Sequence, residues 1–340
     1  MPNIKDVAKR AGVAPITVSR CINNSGYCSS EARARIETAI AELGFVPNRL
    51  ATGLRSKRTH TLALVLTDIT NPFFTTIARG VEDIASEAGY TVIFCNTDES
   101  GPKEQMYLRM LLEKRVDGVL LVPVLSGLDS VNLIKKQDTS VVIIDRRLPD
   151  LQADTVRCDS EGGAHDLTQL LLSLGHRDIA LLNGPRGVST AEDRLAGYRR
   201  AMAEFGIPQN DEREFYGAFV QESGFEMAHH AMQKANKPTA VFAANNFIAI
   251  GVLKAFQEMG LRVPEDVAVV GFDDLPPALI TFPFLTVAAQ PAYEMGKKAT
   301  EILLKRLDGE LSGDFQEIVL PAFIVTRQSS GRQREATPRR

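Results

Sequence analysis

From residue 61 onward, short apolar runs alternate with amphipathic stretches, and this rhythm restricts the fold more than any other feature of the chain. The runs are "TLALVLTDI" at 61–69, "TVIFCN" at 91–96, "GVLLVPV" at 118–124, "SVVIID" at 140–145, "DIALLNG" at 178–184, "AVFAAN" at 240–245 and "VAVVGFDD" at 267–274. Between them, 73–88, 103–114, 191–205 and 247–259 read as helices. Runs that are apolar at successive positions suit strands of a parallel sheet with helices on both faces. The strands are too many for one compact sheet, and the rhythm begins afresh near 163–184. The expectation is an α/β fold with two doubly wound lobes. A ligand would bind between them, at the carboxyl ends of the strands.

Residues 4–44 follow a different pattern, that of three short helices. Ile4, Val7, Ala8 and Ala11 recur at helical spacing and Gly12 ends the first helix. Val18 and Ile22 give the second an apolar stripe. Ser29 can cap the third, whose inward residues are Ile36, Ala39, Ile40 and Leu43, with Gly44 as its stop. Two helices joined by a short turn containing glycine are the helix-turn-helix pattern. Charge points the same way. Residues 1–58 hold ten Lys/Arg and four Asp/Glu, a net +6; the whole chain is −3, so the remainder sums to −9. A basic head on an acidic body implies a polyanionic partner for the head alone. The basic stretch "PNRLATGLRSKR" at 47–58 has too little apolar surface to bury by itself. It is either a tether or a segment that folds on a partner.

Catalytic motifs are missing from the sequence. There is no Gly-x-x-x-x-Gly-Lys-Ser/Thr phosphate loop, "NGPRG" at 183–187 included, and no Gly-x-Ser-x-Gly elbow. His165, His176, His229 and His230 lack metal-ligand spacing, and His176 reads as a structural or capping residue. Cys21, Cys28, Cys95 and Cys158 fit no zinc pattern and read as reduced thiols. "MPNIKDVAKR" lacks the apolar core of a signal peptide, and no apolar run reaches the ~20 residues of a membrane span. The chain is therefore expected to be a cytoplasmic, nucleoid-associated binder, with no enzymatic activity, metal or cofactor.

Polar groups gather where the apolar runs end: "TDITNPFF" at 67–74, "DRR" at 145–147, "STAEDR" at 189–194, "AANN" at 243–246 and "GFDD" at 271–274. Carboxylates, an amide and a guanidinium make paired hydrogen bonds to neighbouring hydroxyls, and phenylalanines can cover a ring. That combination suits a sugar.

The blocks "IKDVAKRAGV", "TVSRCINN", "LGFVPNRLA", "LGHRDIALLNGP" and "VAVVGFDD" occur in the order found in the LacI family of bacterial transcriptional regulators. The chain resembles that family from Ile4 to about Arg327. The resemblance implies a helix-turn-helix domain at 1–46, a hinge at 47–59 and an effector-binding and dimerisation core at 60–330. Lobe 1 would span about 60–159 and 291–320, lobe 2 about 160–290 and 321–328, and 331–340 would be a disordered tail. It further implies a homodimer on a near-palindromic operator, with the second helix in the major groove.

By the family pattern, Pro15, Ile16 and Arg20 face bases, while Thr17, Ser19 and Asn23 anchor phosphates. Neither Pro15 nor Ile16 can make a bidentate contact, so both are expected to offer apolar surface to thymine methyls. Leu54 matches the wedge into the central minor groove, Ala51 the point where two hinges touch, and Asn48 and Arg55 backbone or groove contacts. The core resembles the ribose-binding members, with Asn71, Phe73, Phe74, Asp145, Arg146, Arg194, Phe219, Asn245, Asp273 and Gln290 at matching positions and Asp68 nearby. The implied function is a repressor controlled by a small sugar, with a pentose such as ribose favoured. A hexose, a sugar acid or a protein co-regulator is the alternative, and a transport-type sugar-binding protein the weaker one. The tail "GRQREATPRR" has no leucine heptad, so a tetramer-forming helical bundle is not expected.

Overall fold

The computed structural model describes residues 2–23, 25–46, 58–124, 127–148, 152–275 and 283–331. The chain divides into two compact units, Met1–Thr59 and His60–Arg340.

The first unit contains α1 (Ile4–Ala11), α2 (Pro15–Asn23) and α3 (Ser30–Leu43). The Asn3 side chain accepts from the Lys5 and Asp6 N–H groups, and the Asp6 carboxylate accepts from Asn3 N–H in return. This capping box satisfies donors that the first turn leaves open. Gly12 ends α1 in the left-handed region at φ 67°. Ser29 caps α3 by accepting from Ala32 N–H at 3.2 Å. The three helices enclose Val7, Ala8, Ala11, Val18, Cys21, Ile36 and Ala39. On α2 the fully buried residues are Val18 and Cys21, and Ile22 is only half-buried. Cys21 and Cys28 form a disulfide with Cα atoms 5.4 Å apart, which corrects the expectation of four reduced thiols. The turn after α2 brings Cys28 back against that helix, a proximity that sequence spacing does not encode. Cys95 and Cys158 are free and buried.

The second unit opens with β1 (Thr61–Leu66), α4 (Pro72–Glu87), β2 (Thr91–Asn96), α5 (Gly101–Glu113), β3 (Gly118–Leu121), α6 (Gly127–Lys135), β4 (Ser140–Ile144) and β5 (Asp154–Cys158). It continues with α7 (Ser160–Ser173), β6 (Ile179–Asn183), α8 (Ser189–Glu204), β7 (Glu214–Tyr216), α9 (Gln221–Gln233), β8 (Ala240–Ala243), α10 (Asn246–Glu258), β9 (Ala268–Phe272) and β10 (Thr286–Ala289). It closes with α11 (Ala292–Asp308), β11 (Glu317–Leu320) and β12 (Phe323–Val325).

The strands form two six-stranded sheets, as the repeated rhythm implies. One is ordered β11-β5-β4-β3-β1-β2 and the other β12-β10-β9-β8-β6-β7. Apart from that extra edge strand, each has its five strands in the order second, first, third, fourth, fifth. All pairings are parallel except β10 with β12. The chain crosses between sheets after β5, after β10 and after β11. Every residue of β3, β6, β8 and β9 is buried, because helices cover both faces.

Close helix contact tightens the first lobe. A methyl group built on Gly80 of α4 would lie 2.2 Å from the Tyr293 carbonyl oxygen of α11, and one on Gly296 2.2 Å from the Ile77 carbonyl oxygen. Each glycine lets the other backbone approach. Replacing Gly80 or Gly296 with valine is expected to destabilise the protein by roughly 2–3 kcal/mol, through forced helix separation. An unchanged urea midpoint would contradict this packing.

Candidate functional site

On the head, Pro15, Ile16, Arg20 and Asn23 are exposed, whereas Thr17 and Ser19 are half-buried. Ile16, Arg20 and Asn23 are spaced i, i+4, i+7, so they share one helical stripe. Val18 and Cys21 hold the opposite stripe in the core, which fixes the rotation of α2. Ile16 is 51% exposed, unusual for isoleucine inside a helix and consistent with an apolar contact surface. Asn23 Nδ2 donates to Ser19 Oγ at 3.3 Å, linking two of the expected phosphate anchors. Pro15 occupies the first helical position, where its missing N–H costs nothing. Asn48, Ala51, Leu54 and Arg55 lie outside the described residues.

The cleft is built from strand ends. Asp145 follows β4 and Asp273 follows β9, at φ 71° and 68°. Non-glycine residues in this region carry strain that the surroundings must hold. Here the Asp145 N–H donates to the Val156 carbonyl at 2.9 Å and the Asp273 N–H to the Ala288 carbonyl at 3.0 Å. The two turns bury the carboxylates within electrostatic range of each other and of Arg194. Burial pushes Asp145 up to about 6, opposed by Arg146 and Arg194 and reinforced by Asp273 and Glu99. Burial likewise raises Asp273, opposed by Arg194 and by a hydrogen bond from Gln290 Nε2 at 2.5 Å.

The other expected residues divide into three kinds. Arg194 rises from α8, stacks 4.0 Å from the Phe272 ring centroid and donates to the Ala244 carbonyl at 2.7 Å. Asn245 caps α10 by accepting from Ile248 N–H and donates to the Phe219 carbonyl at 3.4 Å. Phe73 and Phe74 meet edge-on in lobe 1, centroids 5.0 Å apart. Two residues are engaged elsewhere. Asp68 accepts from Thr70 N–H and Oγ1, shaping its own loop. Arg146 donates to both Glu99 oxygens, at 2.5 and 2.8 Å, and to the Pro123 carbonyl. Asn71 spans the lobes: its amide pairs reciprocally with that of Asn246, at 2.9 and 3.2 Å, while also capping Phe73 N–H. Arg147 adds two more links across the lobes, donating from its backbone to Ser189 Oγ and pairing with Asp193.

Among the described residues, Asp145 Oδ1, Arg146 Nε, Arg194 Nε and Gln290 Oε1 are buried without a hydrogen-bond partner in the protein. Buried polar atoms are normally paired, and these four belong to residues that the family pattern places at the ligand. No described helix is long and apolar enough to cross a membrane.

Residues 3–48 match the family model described as "Bacterial regulatory proteins, lacI family", and residues 168–330 match the "Periplasmic binding protein-like domain". The chain is 37% identical to the HTH-type transcriptional repressor PurR of Photobacterium profundum, over 90% of this chain and 92% of the relative. It is 36% identical to the ribose operon repressor of Escherichia coli strain K12, over 90% and 93%. Its fold superposes with a TM-score of 0.85 on the lac repressor dimer bound to operator and anti-inducer, at 28% identity over 97% and 99% of the two chains. The chain belongs to the LacI family.

As a LacI-family protein it is a transcriptional repressor with a ligand-binding core, in a family that is not enzymatic. Several residues of that core escape sequence reading. Glu99 carries no motif and Asn246 is legible only as the end of "AANN"; the fold reveals that they face Arg146 and Asn71. Gly184 matters because the Phe219 ring lies on it: an added methyl would fall 2.1 Å from Phe219 Cζ. The "NGPRG" that is no phosphate loop is thus a seat for an aromatic ring.

The Asp145 shift gives a measurable slope. Its folded value lies above the ~3.9 of an unfolded aspartate, so the folded state binds the proton more tightly. That stability is present in acid and is lost as pH rises through about 6. Asp145→Asn should therefore raise ligand-free stability near pH 7.5 by on the order of 2 kcal/mol. It should also flatten the dependence between about pH 4 and 6. Thermal melts across that range check both effects, and a variant that is less stable at pH 7.5 would refute the buried-charge account.

Proposed function

We propose that this repressor binds its operator as a homodimer and answers a small neutral sugar of the pentose class, D-ribose being the leading candidate. The observation carrying the effector reading is the group of Asp145, Asp273 and Arg194, buried within electrostatic range of one another, with Gln290 on Asp273, the Phe219 ring near Arg194 and Asn245 on the Phe219 carbonyl. Two carboxylates that only accept, one guanidinium that only donates, and amides that do both match a ring of hydroxyls. Arg146 gives both terminal nitrogens to Glu99 and its Nε lies 3.8 Å from the Asp145 carboxylate, so Asp145, Asp273 and Glu99 set three carboxylates against the two guanidiniums of Arg146 and Arg194. That balance disfavours a sugar acid. The similarity to a ribose operon repressor supports the same choice.

On the DNA side, each head lays α2 in the major groove. Arg20 pairs with a guanine, Pro15 and Ile16 cover thymine methyls, and Thr17, Ser19 and Asn23 set register on phosphates. Asn48, Ala51, Leu54 and Arg55 belong to a hinge that folds on DNA, with Leu54 entering the central minor-groove step. Sugar in the cleft changes lobe closure and hence the spacing of the paired hinges. This coupling requires sugar and operator to prefer different states. The repressor acts on the cytoplasmic nucleoid.

Calorimetric titration with D-ribose, hexoses and sugar acids tests the effector. Ribose should bind, sugar acids should not, and Asp273→Ala should weaken ribose by at least roughly tenfold. Preference for a sugar acid would overturn the charge argument. Arg20→Ala should cost operator binding about 1–3 kcal/mol and relax selectivity at one base pair of each half-site. Ile16→Gln should alter base preference more than overall affinity. A uniform loss across operator variants would assign both residues to phosphate contact instead.

A further inference from the structure

Cys21 and Cys28 bracket the turn between α2 and α3 and are bonded to each other. Cys21 is buried on the inner stripe of α2, whereas Cys28 is half-buried, one residue before the Ser29 cap. The enclosed segment touches the exposed arginine of the reading helix. A methyl built on Gly26 would lie 3.4 Å from Arg20 Cδ and 3.8 Å from its Nε, and Ser25 N–H donates to the Arg20 carbonyl at 3.1 Å. Arg33 of α3 donates to the Cys21 carbonyl at 3.4 Å. Arg20 therefore leans on a loop whose ends are tied by one bond. The fully buried part of the head's core is small, with three alanines among its seven residues. A domain this small gains much from a cross-link.

We propose that Cys21 and Cys28 form a thiol–disulfide switch that sets how firmly the head presents Arg20 to DNA. This rests on reading Arg20 as a base contact. In a reducing compartment the pair is a dithiol. The oxidant is a peroxide. The more accessible Cys28 thiolate attacks the O–O bond of hydrogen peroxide, giving a sulfenic acid and hydroxide, which takes up a proton. The Cys21 thiolate then attacks Cys28 Sγ and expels the second hydroxide. Two thiols and one peroxide become one disulfide and two waters. A cellular dithiol reverses the bond by exchange. The closed loop gives Arg20 fewer orientations to lose on docking, so the oxidised head binds the more tightly.

The test uses the full-length protein, reduced with dithiothreitol or treated with hydrogen peroxide. Alkylation after unfolding should count four thiols in the reduced form and two, at Cys95 and Cys158, in the oxidised form. Each form selects from a randomised duplex library, and affinity is measured on the duplex recovered. The oxidised form should bind about tenfold more tightly, with the larger loss on reduction at the base pair that Arg20 reads. A double Cys21→Val, Cys28→Val variant keeps the pair apolar and should bind with an affinity indifferent to peroxide. Full alkylation of Cys21 and Cys28 after peroxide would overturn the proposal, as would equal affinity of the two forms. Failure of both forms to select any duplex would overturn the operator reading together with the switch.

Discussion

Parallel strands that are apolar on both faces need helices on both sides, and the right-handed crossovers that supply them send every strand in a sheet the same way. Each return passes through a helix, so the loops at the carboxyl ends gather along one edge. With five strands in the order second, first, third, fourth, fifth, neighbouring loops diverge where the winding reverses, between β1 and β3 in one sheet and β6 and β8 in the other. Asn71 follows β1, Arg194 lies on the helix after β6, and Asn245 follows β8. Asp145, Asp273 and Gln290 follow β4, β9 and β10. The cleft is thus a by-product of how two buried sheets are wound, and its chemistry depends only on which residues the loops carry.

Those loops carry charge into a poorly solvated place. Burying Asp145 and Asp273 near one another is unfavourable, and Arg194 offsets only part of it. The unliganded cleft is therefore a strained state twice over, in electrostatics and in the left-handed backbone of both aspartates. Asn71–Asn246, Arg147–Ser189 and Arg147–Asp193 hold the lobes across it. A ligand that donated to the carboxylates would relieve the first strain. A ligand can shift lobe closure only as far as its contacts differ between the two states.

Much of this was legible beforehand, for identifiable reasons. Strands such as "GVLL" of β3 and "AVVGF" of β9 are buried from end to end, and a continuous apolar run reports that directly. β5, β7, β10, β11 and β12 went unread. They are three to five residues long, and β5 alternates buried and half-buried positions, so none offers a long run to detect. At the cleft, residue types at strand ends identified Asp145 and Asp273. Partnership was not legible. That Arg146 turns to Glu99, and Asn71 to Asn246, depends on contacts between residues 47 and 175 positions apart. The Cys21–Cys28 bond was hidden for a related reason. Both residues occupy packing positions, where a thiol and a small apolar side chain serve alike.

The composition of α2 bears on how control can work. If Arg20 is the one hydrogen-bonding base reader of each head, a single head discriminates by only about 1–3 kcal/mol per matched pair. The apolar surface of Pro15 and Ile16 adds a shallow preference. Phosphate contacts supply affinity without selectivity. Strong discrimination must then come from holding two such heads at one spacing, because the second head binds as an intramolecular partner of the first. That gain is steep in geometry and vanishes when both half-sites cannot be engaged together. On that reading a modest change in lobe closure would suffice to alter operator affinity without altering any DNA-facing residue, and a weakly reading helix would make the ligand's leverage larger.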